Sequence, residues 1–492
     1  MNTNQHGRIG SWSKRYARTP TALTLWLLAG WFAGCAATAE RGRPESHAVD
    51  STACPVKPNI VLILADDLGW TDLTCTGSRY YETPNIDRLR REGMYFPQFY
   101  VSQNCAPTRA CLMTGQYAPR TGIYTVTNLD RGQAQYRKMN VPQNGTDLPL
   151  DRMTVANALK AAGYATGMFG KWHLGSRNQY HPSRRGFDEA IVSMGRHYDF
   201  NTDPHVDVPK GTYLADFLTD RAVRFIEKNK DRPFFLYLPH FAVHVPLQAK
   251  PELIKKFEAK PPADGHNNPT YAAMIASLDE SVGRVLTKLD ELKLSDRTLV
   301  IFLSDNGGVG GYQSIGLTKA GITDNRPLRA GKGSLHEGGI RVPFIAKYPP
   351  MIKAGTVCNT PAIHVDLLPT LVEMAGAERP KQPLDGVSIV PLFKDPKASL
   401  NRDTLYWHFP GYLESGKGQW RTTPVSVIRS GDFKLMEFFE DGHLELYNLK
   451  DDLSEKNDLA AQMPEKAGEL HDRLAAWRKE LHAAMPTPKN RD

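Results

Sequence analysis

The chain has 492 residues, of which 41% are hydrophobic and 23% charged, and this length fits one large globular domain with a smaller one. Its formal net charge is +8, and no basic block is dense enough to indicate nucleic-acid binding. A mild positive charge is compatible with an anionic substrate. Composition therefore favours a globular protein that does not bind nucleic acid.

Residues 1–35 have the pattern of an export signal. A positively charged stretch, 14–18, precedes an apolar run, 23–32, that is shorter than the ~20 residues of a membrane-spanning helix. Two cleavage sites compete: the segment ending in Cys35 resembles a bacterial lipobox, and 37–39 is an ordinary small-x-small site. We favour the lipoprotein, with lipid on Cys35 as a membrane anchor. Either site predicts an exported protein, periplasmic, membrane-anchored or secreted.

Residues 36–57 are polar and irregular and are expected to form a tether. From Pro58 onward, continuous apolar runs alternate with amphipathic segments, which is typical of a sheet covered by helices on both faces. The predicted strands are 60–64, 165–169, 233–238 and 298–303, and the predicted helices are 84–92, 155–162, 214–227 and 271–292. This pattern predicts an α/β catalytic domain over 58–394, with a large, mostly parallel or mixed sheet sandwiched by helices.

The pattern changes near residue 395, where short and partly alternating segments begin. The predicted strands there are 405–407, 425–428, 433–439 and 444–449, and an amphipathic helix over 464–484 closes the chain. We therefore predict a small C-terminal α+β subdomain over 395–492, made of an antiparallel sheet and a terminal helix.

Reactive residues directly follow the four apolar strands of the larger domain. They are Asp66 and Asp67, Lys171 and His173, His240 and His244, and Asp305 and Asn306. Ligands of open parallel sheets bind beyond the carboxyl ends of the strands, so these side chains are expected to converge at one edge. The convergence favours an enzyme over a passive binding protein. Pro246 makes a helix at His240 and His244 unexpected, so we interpret His240 as a structural residue or as one that supports the residues of the site.

Two of these pairs indicate a metal site. Asp66, Asp67, Asp305 and Asn306 offer three carboxylates and an amide oxygen, a set suited to Ca²⁺ or Mg²⁺ rather than Zn²⁺. Either pair alone would more often be a plain turn. Two pairs, each directly after a buried strand, favour the metal.

The run 104–115, Asn-Cys-Ala-Pro-Thr-Arg-Ala-Cys-Leu-Met-Thr-Gly, contains a reactive thiol at the predicted start of a helix. Pro107 fits the first helical turn, and Cys105 and Arg109 then share one helical face. A helix N-terminus and a guanidinium both favour anions. From these residues alone, Cys105 could also be a stabilised thiolate or half of a disulfide.

The same run resembles the signature of the type I, formylglycine-dependent sulfatases, in which the cysteine is oxidised to Cα-formylglycine. Further blocks look like those of the family and follow its order: 59–70, 83–89, 170–175, 244–246, 304–308, 331–333 and 337–343. The resemblance covers essentially Pro58 to the C-terminal helix. It implies an arylsulfatase A-like enzyme with the alkaline phosphatase superfamily fold.

The resemblance also implies roles for residues at matching positions. The implied metal ligands are Asp66, Asp67, Asp305, Asn306 and the modified Cys105. The implied metal is one Ca²⁺ per chain, ahead of Mg²⁺. The implied active-site cations and acid–base groups are Arg109, Lys171, His173, His244 and Lys332.

The implied mechanism uses the hydrate of the Cys105 aldehyde as nucleophile. Arg109 and Lys171, with the metal, would favour ionisation of one hydroxyl, which attacks sulfur. Lys332, with the metal, would neutralise the negative charge on the sulfuryl oxygens, and His244 would protonate the departing alcohol. His173 would then take a proton from the second hydroxyl, so that sulfate leaves.

The expected function is therefore hydrolysis of sulfate esters by a sulfuric ester hydrolase, with sulfated carbohydrate as the implied substrate and a formylglycine-generating enzyme as the maturation partner. Two alternatives remain: a phosphodiester or phosphonate monoester hydrolase on the same fold, and an inactive binder of sulfated glycans. Substrate specificity is expected to depend on loops 120–150, 176–212 and 309–330, and on the small C-terminal domain, which covers part of such sites in the family.

Four further cysteines, Cys54, Cys75, Cys111 and Cys358, allow three disulfide pairings that the sequence leaves open. An exported protein permits disulfides. For Cys111, inside an apolar segment, we favour a small buried side chain.

Overall fold

The computed structural model describes residues 57–317 and 321–489. The predicted signal, Cys35 and nearly all of the predicted tether lie outside these residues. The described residues belong to one compact unit, and the predicted division at residue 395 stays a prediction. Within the described ranges, no helix is both long and apolar enough to cross a membrane.

The strands and helices alternate as the sequence predicts. In chain order the strands are β1 (Asn59–Ala65), β2 (Met94–Tyr100), β3 (Met139–Asn140), β4 (Ala165–Gly170), β5 (Glu189–Val192), β6 (Phe234–Pro239), β7 (Thr298–Ser304), β8 (Arg341–Lys347), β9 (Thr356–Val357), β10 (Ala362–Ile363), β11 (Thr404–Phe409), β12 (Leu413–Gly416), β13 (Gln419–Thr422), β14 (Val425–Ser430), β15 (Phe433–Phe438), β16 (Leu444–Asn448) and β17 (Thr487–Pro488). The helices are α1 (Pro84–Glu92), α2 (Cys105–Thr114), α3 (Ala118–Thr121), α4 (Val155–Ala161), α5 (Leu214–Lys228), α6 (Pro251–Glu258), α7 (Pro269–Glu291), α8 (Glu337–Ile340), α9 (Leu367–Ala375), α10 (Val390–Lys394) and α11 (Pro464–Glu480).

The large sheet has the strand order β10-β2-β8-β7-β1-β6-β4-β5, with β9 also paired to β2. Strands β1, β4, β5, β6 and β7 pair in parallel, whereas β8 runs antiparallel to both β2 and β7. The predicted mixed α/β sheet is therefore confirmed. Because β7, β1, β6 and β4 are neighbours and parallel, their carboxyl ends meet at one edge, as predicted.

Two hydrophobic cores, one on each face of the sheet, explain the continuous apolar strands. Residues Ile60 to Ala65 of β1 are completely buried. Alternate side chains of β1 enter opposite cores: one core includes apolar residues of α2, α4 and α9, and the other includes those of α1, α5, α6 and α7. The sheet is thus a rigid base for the residues that follow its strands.

The C-terminal region forms the predicted antiparallel sheet, in the order β11-β14-β15-β16, against which α11 packs. A two-stranded hairpin, β12–β13, lies between β11 and β14 in the chain and was not predicted. Its strands are short and only partly buried, and Gly418 adopts a positive φ of 69° at its turn. This hairpin reaches the candidate site, where Leu413, Glu414 and Arg421 line the cavity.

A buried ionic cluster joins the small sheet to the segment 331–343. Lys434 Nζ of β15 lies 3.1 Å from Glu337 Oε1 and 2.8 Å from Glu455 Oε1, and all three side chains are fully buried. Buried charges are tolerated only when they are paired, so this cluster fixes the register between the two regions.

The cysteines form no disulfide within the described ranges. Cys75, Cys105, Cys111 and Cys358 are all free, and Cys54 lies outside the described residues. Cys111 is completely buried, and burial raises the pKa of its thiol well above the usual range. The interpretation of Cys111 as a small apolar residue is confirmed.

Candidate active site

Two acidic pairs meet at the carboxyl edge of the large sheet. The pairing of Ala65 with Ser304 places the residues after β1 beside those after β7. The Asp67 backbone N–H donates to Asp305 Oδ1 over 3.2 Å, and Asn306 Nδ2 donates to Asp67 Oδ1 over 2.8 Å. The structure therefore brings the four predicted metal ligands together.

The donor atoms of this cluster fit a divalent cation. Asp66 Oδ1 and Asn306 Oδ1 are buried without a hydrogen-bond partner among the described residues. One ligand atom each from Asp66, Cys105 and Asp305 lie within 4.8 Å of one another. Burial, together with the charge of Asp66, raises the pKa of Asp305 to about 7. A cation would relieve this repulsion and satisfy the free oxygens.

Cys105 is the first residue of α2 and is almost completely buried beside the acidic cluster. Four residues later, Arg109 lies completely buried, with Nη2 2.7 Å from Asp305 Oδ2 and Nη1 donating to the Lys171 carbonyl over 2.6 Å. The Arg109 guanidinium is thus engaged by protein groups. Its contacts hold Asp305 and the segment after β4 in place.

Lys171 and His173 follow β4 and face the same cluster. Lys171 Nζ lies 2.5 Å from Asp66 Oδ2, which neutralises one of the buried carboxylates. Burial and the charges of Lys171 and Arg109 lower the pKa of His173 to about 2, so its ring is neutral. His173 Nδ1 is buried without a hydrogen-bond partner in the described chain.

His244 and Lys332 approach the cluster at Asp67. Lys332 Nζ lies 2.7 Å from Asp67 Oδ1, and His244 Nε2 lies 3.7 Å from Asp67 Oδ2. His244 Nδ1 is 2.6 Å from the Val245 carbonyl and so carries a hydrogen that it donates. Nε2 is then the nitrogen free to exchange a proton in the site.

His240 has a different environment. It is completely buried, and its Nε2 lies 2.9 Å from Ser281 Oγ of α7. It does not line the cavity described below. This agrees with its interpretation as a structural residue.

The converging side chains form one end of a cavity of about 380 Å³. This volume lies in the range of small-molecule sites, ~300–1,000 Å³. The predicted residues that line it are Cys105, Lys171, His173, His244 and Lys332. A thiol, two ammonium groups and two imidazoles thus face one space beside an acidic cluster, which suits transfer of an anionic group.

Comparison with known proteins decides the family. The family model described as Sulfatase matches residues 58–377, and the model of the N-sulphoglucosamine sulphohydrolase C-terminal region matches residues 331–480. The chain belongs to the sulfatase family. It is therefore a sulfuric ester hydrolase, and the resemblance stated from the sequence is confirmed.

Individual sulfatases match over most of their length. A sulfatase of Formosa agariphila is 35% identical, covering 86% of this chain and 88% of that protein. The N-acetylgalactosamine-6-sulfatase of Sus scrofa is 34% identical over 75% of this chain and 72% of its own. The crystal structure of Ps i-CgsB in complex with k-i-k-neocarrahexaose is 32% identical, with a TM-score of 0.71, covering 86% of this chain and 92% of that chain.

The remaining walls of this sulfatase cavity were not predicted residue by residue. They consist of Asn104, Val126, Arg131, Met194, Gly195, Phe241, Val245, Leu413, Glu414 and Arg421. Four of them come from loops 120–150 and 176–212, which were expected to set specificity. The last three come from β12–β13, whose only sequence signal is a glycine-rich turn, 416–418, between two short half-apolar segments.

Proposed function

We propose that this sulfatase is exported and removes sulfate from sulfated carbohydrate, using a formylglycine made from Cys105 and a bound Ca²⁺. The observation that carries the proposal is the convergence of Cys105, two lysines and two histidines at one cavity, beside a cluster of three carboxylates. A carbohydrate substrate is supported by the neocarrahexaose bound in Ps i-CgsB and by the sugar substrate in the name of the porcine relative.

The chemical state of Cys105 argues against direct catalysis by a thiolate. Burial raises the pKa of the Cys105 thiol, so the thiol stays protonated and is a poor nucleophile. Its position at the start of α2 nevertheless places it in the lining of the cavity. A formylglycine hydrate would supply one hydroxyl to attack sulfur and a second whose deprotonation releases sulfate.

The metal would be held by Asp66, Asp67, Asp305, Asn306 and the modified residue 105. It would supply positive charge to the sulfuryl oxygens and favour ionisation of the nucleophile. We favour Ca²⁺ over Mg²⁺ because Ca²⁺ accepts many protein oxygens in irregular geometry, whereas Mg²⁺ usually retains several waters.

The protein's own side chains would carry the charge and the protons. Lys171 and Lys332 keep positive charge at the reacting end of the cavity, since their carboxylate partners raise the pKa of both lysines despite burial. His244 Nε2 would protonate the departing alcohol oxygen. The neutral His173 ring would accept the proton that accompanies sulfate release.

The reaction class is tested by comparing kcat/KM on nitrophenyl sulfate with kcat/KM on nitrophenyl phosphate diesters, using matured, metal-loaded enzyme. We expect faster turnover of the sulfate. Faster phosphoester turnover would replace the proposal with the phosphodiester or phosphonate hydrolase. Binding of sulfated glycans without release of sulfate from any of them would identify an inactive binder.

Metal removal provides a second test, in which the stability of the protein is measured as well as its activity. Dialysis against a chelator is expected to abolish turnover and to lower the free energy of unfolding by about 3 kcal/mol, the stabilisation given by a ligand at roughly 100 times its Kd. Ca²⁺ should restore both, and Zn²⁺ should not.

The Asp305→Ala variant should show no Ca²⁺-dependent shift in Tm, whereas the exposed control Asp207→Ala should keep the full shift. An unchanged Tm of the wild-type protein on chelation and Ca²⁺ addition would contradict the metal site.

Export through a lipid anchor on Cys35 belongs to the same proposal, although Cys35 lies outside the described residues. The sequence pattern at 32–35 supports it. We expect labelled fatty acid to enter the wild-type protein but not the Cys35→Ala variant. Equal labelling of both would rule out this anchor.

A further inference from the structure

Three charged residues of the cavity have no part in the proposed chemistry. They are Arg131, Glu414 and Arg421, and they lie on the loop before β3 and on the hairpin β12–β13. Within residues 57–317 and 321–489, neither guanidinium has a carboxylate oxygen within 4.0 Å. Neither arginine therefore forms an ion pair with an acidic side chain of the described residues.

The side chain of Arg421 is held in place, and one of its N–H groups has no hydrogen-bond acceptor in the described chain. Its guanidinium carbon lies 4.7 Å from the centroid of the Tyr312 ring, over which it stacks. Tyr312 in turn donates its hydroxyl to the Lys332 carbonyl over 3.2 Å. Arg421 Nε is buried and has no hydrogen-bond partner in the described part of the chain. A buried unsatisfied donor of a charged group is costly, so it indicates an absent acceptor.

Arg131 is similarly short of partners. Its only side-chain hydrogen bonds in the described ranges go to Thr127 Oγ1, over 2.8 and 3.2 Å. Burial and the nearby charge of Arg421 both lower the pKa of Arg131. Two guanidinium groups that repel each other inside a cavity are stabilised when an anion binds between them.

Hydrogen bonds and packing against the hairpin β12–β13 fix the loop that carries Arg131. The Tyr412 N–H donates to the Leu129 carbonyl over 2.8 Å, and Arg137 Nη1 donates to the Gly132 carbonyl over 2.9 Å. Gly132 has a φ of 81°, and a Cβ there would meet the Trp420 ring at 2.7 Å, so the loop packs directly on the hairpin. The two arginines are thus held by the fold rather than by a substrate.

We propose that Arg131 and Arg421 form a second anion subsite, and that the preferred substrate carries a sulfate or carboxylate group besides the sulfate that is cleaved. This inference rests on the proposed function. Glu414 Oε1, also buried without a hydrogen-bond partner in the described chain, would accept a hydrogen bond from a sugar hydroxyl at the same subsite. The substrate class is therefore a sulfated sugar with at least two anionic groups.

The test compares wild type, Arg131→Gln, Arg421→Gln and the double variant in matured, Ca²⁺-loaded form. Four substrates are needed: nitrophenyl sulfate, a monosulfated disaccharide, the same disaccharide with a second sulfate, and the same disaccharide with a uronate carboxylate. Arg284→Gln, an arginine of α7 outside the cavity, is the matched control.

Each cavity variant is expected to lose roughly 10- to 100-fold in kcat/KM on one dianionic substrate, the cost of removing a hydrogen bond to a charged group. Its kcat/KM on nitrophenyl sulfate and on the monosulfated disaccharide should change less than about threefold. The dianionic substrate that suffers the loss identifies the anion as sulfate or carboxylate. The Arg284→Gln enzyme should match wild type on all four substrates.

Equal kcat/KM of wild type on monosulfated and dianionic disaccharides would overturn the subsite. So would equal losses by the double variant on all four substrates, because that result indicates a structural role. Failure of wild type to hydrolyse nitrophenyl sulfate and every sugar sulfate would instead reject the proposed function.

Discussion

The Cys105→Ala enzyme is expected to lose roughly 10⁶-fold in kcat, the scale seen when a nucleophile that acts as a unit with its neighbours is removed. Cys105 is the first residue of α2 and lies between the acidic cluster and the cavity. Alanine removes only a sulfur atom from a buried position, so the fold and Ca²⁺ binding by the remaining ligands should survive. The Tm of the Ca²⁺-loaded variant checks this point.

The Cys105→Ser variant is the matched control for the type of nucleophile. A serine hydroxyl can attack sulfur, but with one oxygen it forms a sulfate ester that needs separate hydrolysis. We expect at most one equivalent of released alcohol and a protein mass increased by one sulfuryl group. Full turnover by either variant would contradict a nucleophile made from Cys105.

The His244→Ala enzyme is expected to lose about 10²- to 10⁴-fold in kcat on a sugar sulfate, the usual contribution of a general acid. A sugar alkoxide is a poor leaving group, so its oxygen needs the proton that His244 Nε2 would deliver. Nitrophenolate leaves without a proton, and turnover of nitrophenyl sulfate should therefore fall much less. The ratio of the two losses is the diagnostic measurement.

The exposed histidine His205 provides a control, since His205→Ala should leave both substrates unaffected. Equal losses on both substrates in His244→Ala would show that His244 binds sulfate or supports the fold rather than donating the proton.

The sequence predicted those parts of the structure whose patterns are local. Strands such as β1 and β7 are buried on both faces and therefore read as continuous apolar runs. The acidic pairs follow these strands directly, and the parallel arrangement brings their ends together. The convergence of Asp66, Asp305 and Lys171 thus follows from the sequence pattern alone.

The cavity walls could not be predicted in the same way. Arg131 and Arg421 are far apart in the chain. They line the same cavity only because a short hairpin with a glycine turn packs on a loop that Arg137 holds. Neither segment has a clear helical or strand periodicity in its hydrophobic residues. The contacts of Arg109 could not be predicted from the sequence either. Helical spacing places its side chain near Cys105, but it does not decide whether a substrate or Asp305 is its partner.

Mass spectrometry of tryptic peptide 92–109 from purified, active enzyme tests the central claim most directly, because this peptide contains Cys105. We predict an aldehyde in place of the thiol, in a fraction that rises with specific activity across preparations made with and without a formylglycine-generating enzyme. An unmodified thiol throughout a preparation with full sulfatase activity would contradict it.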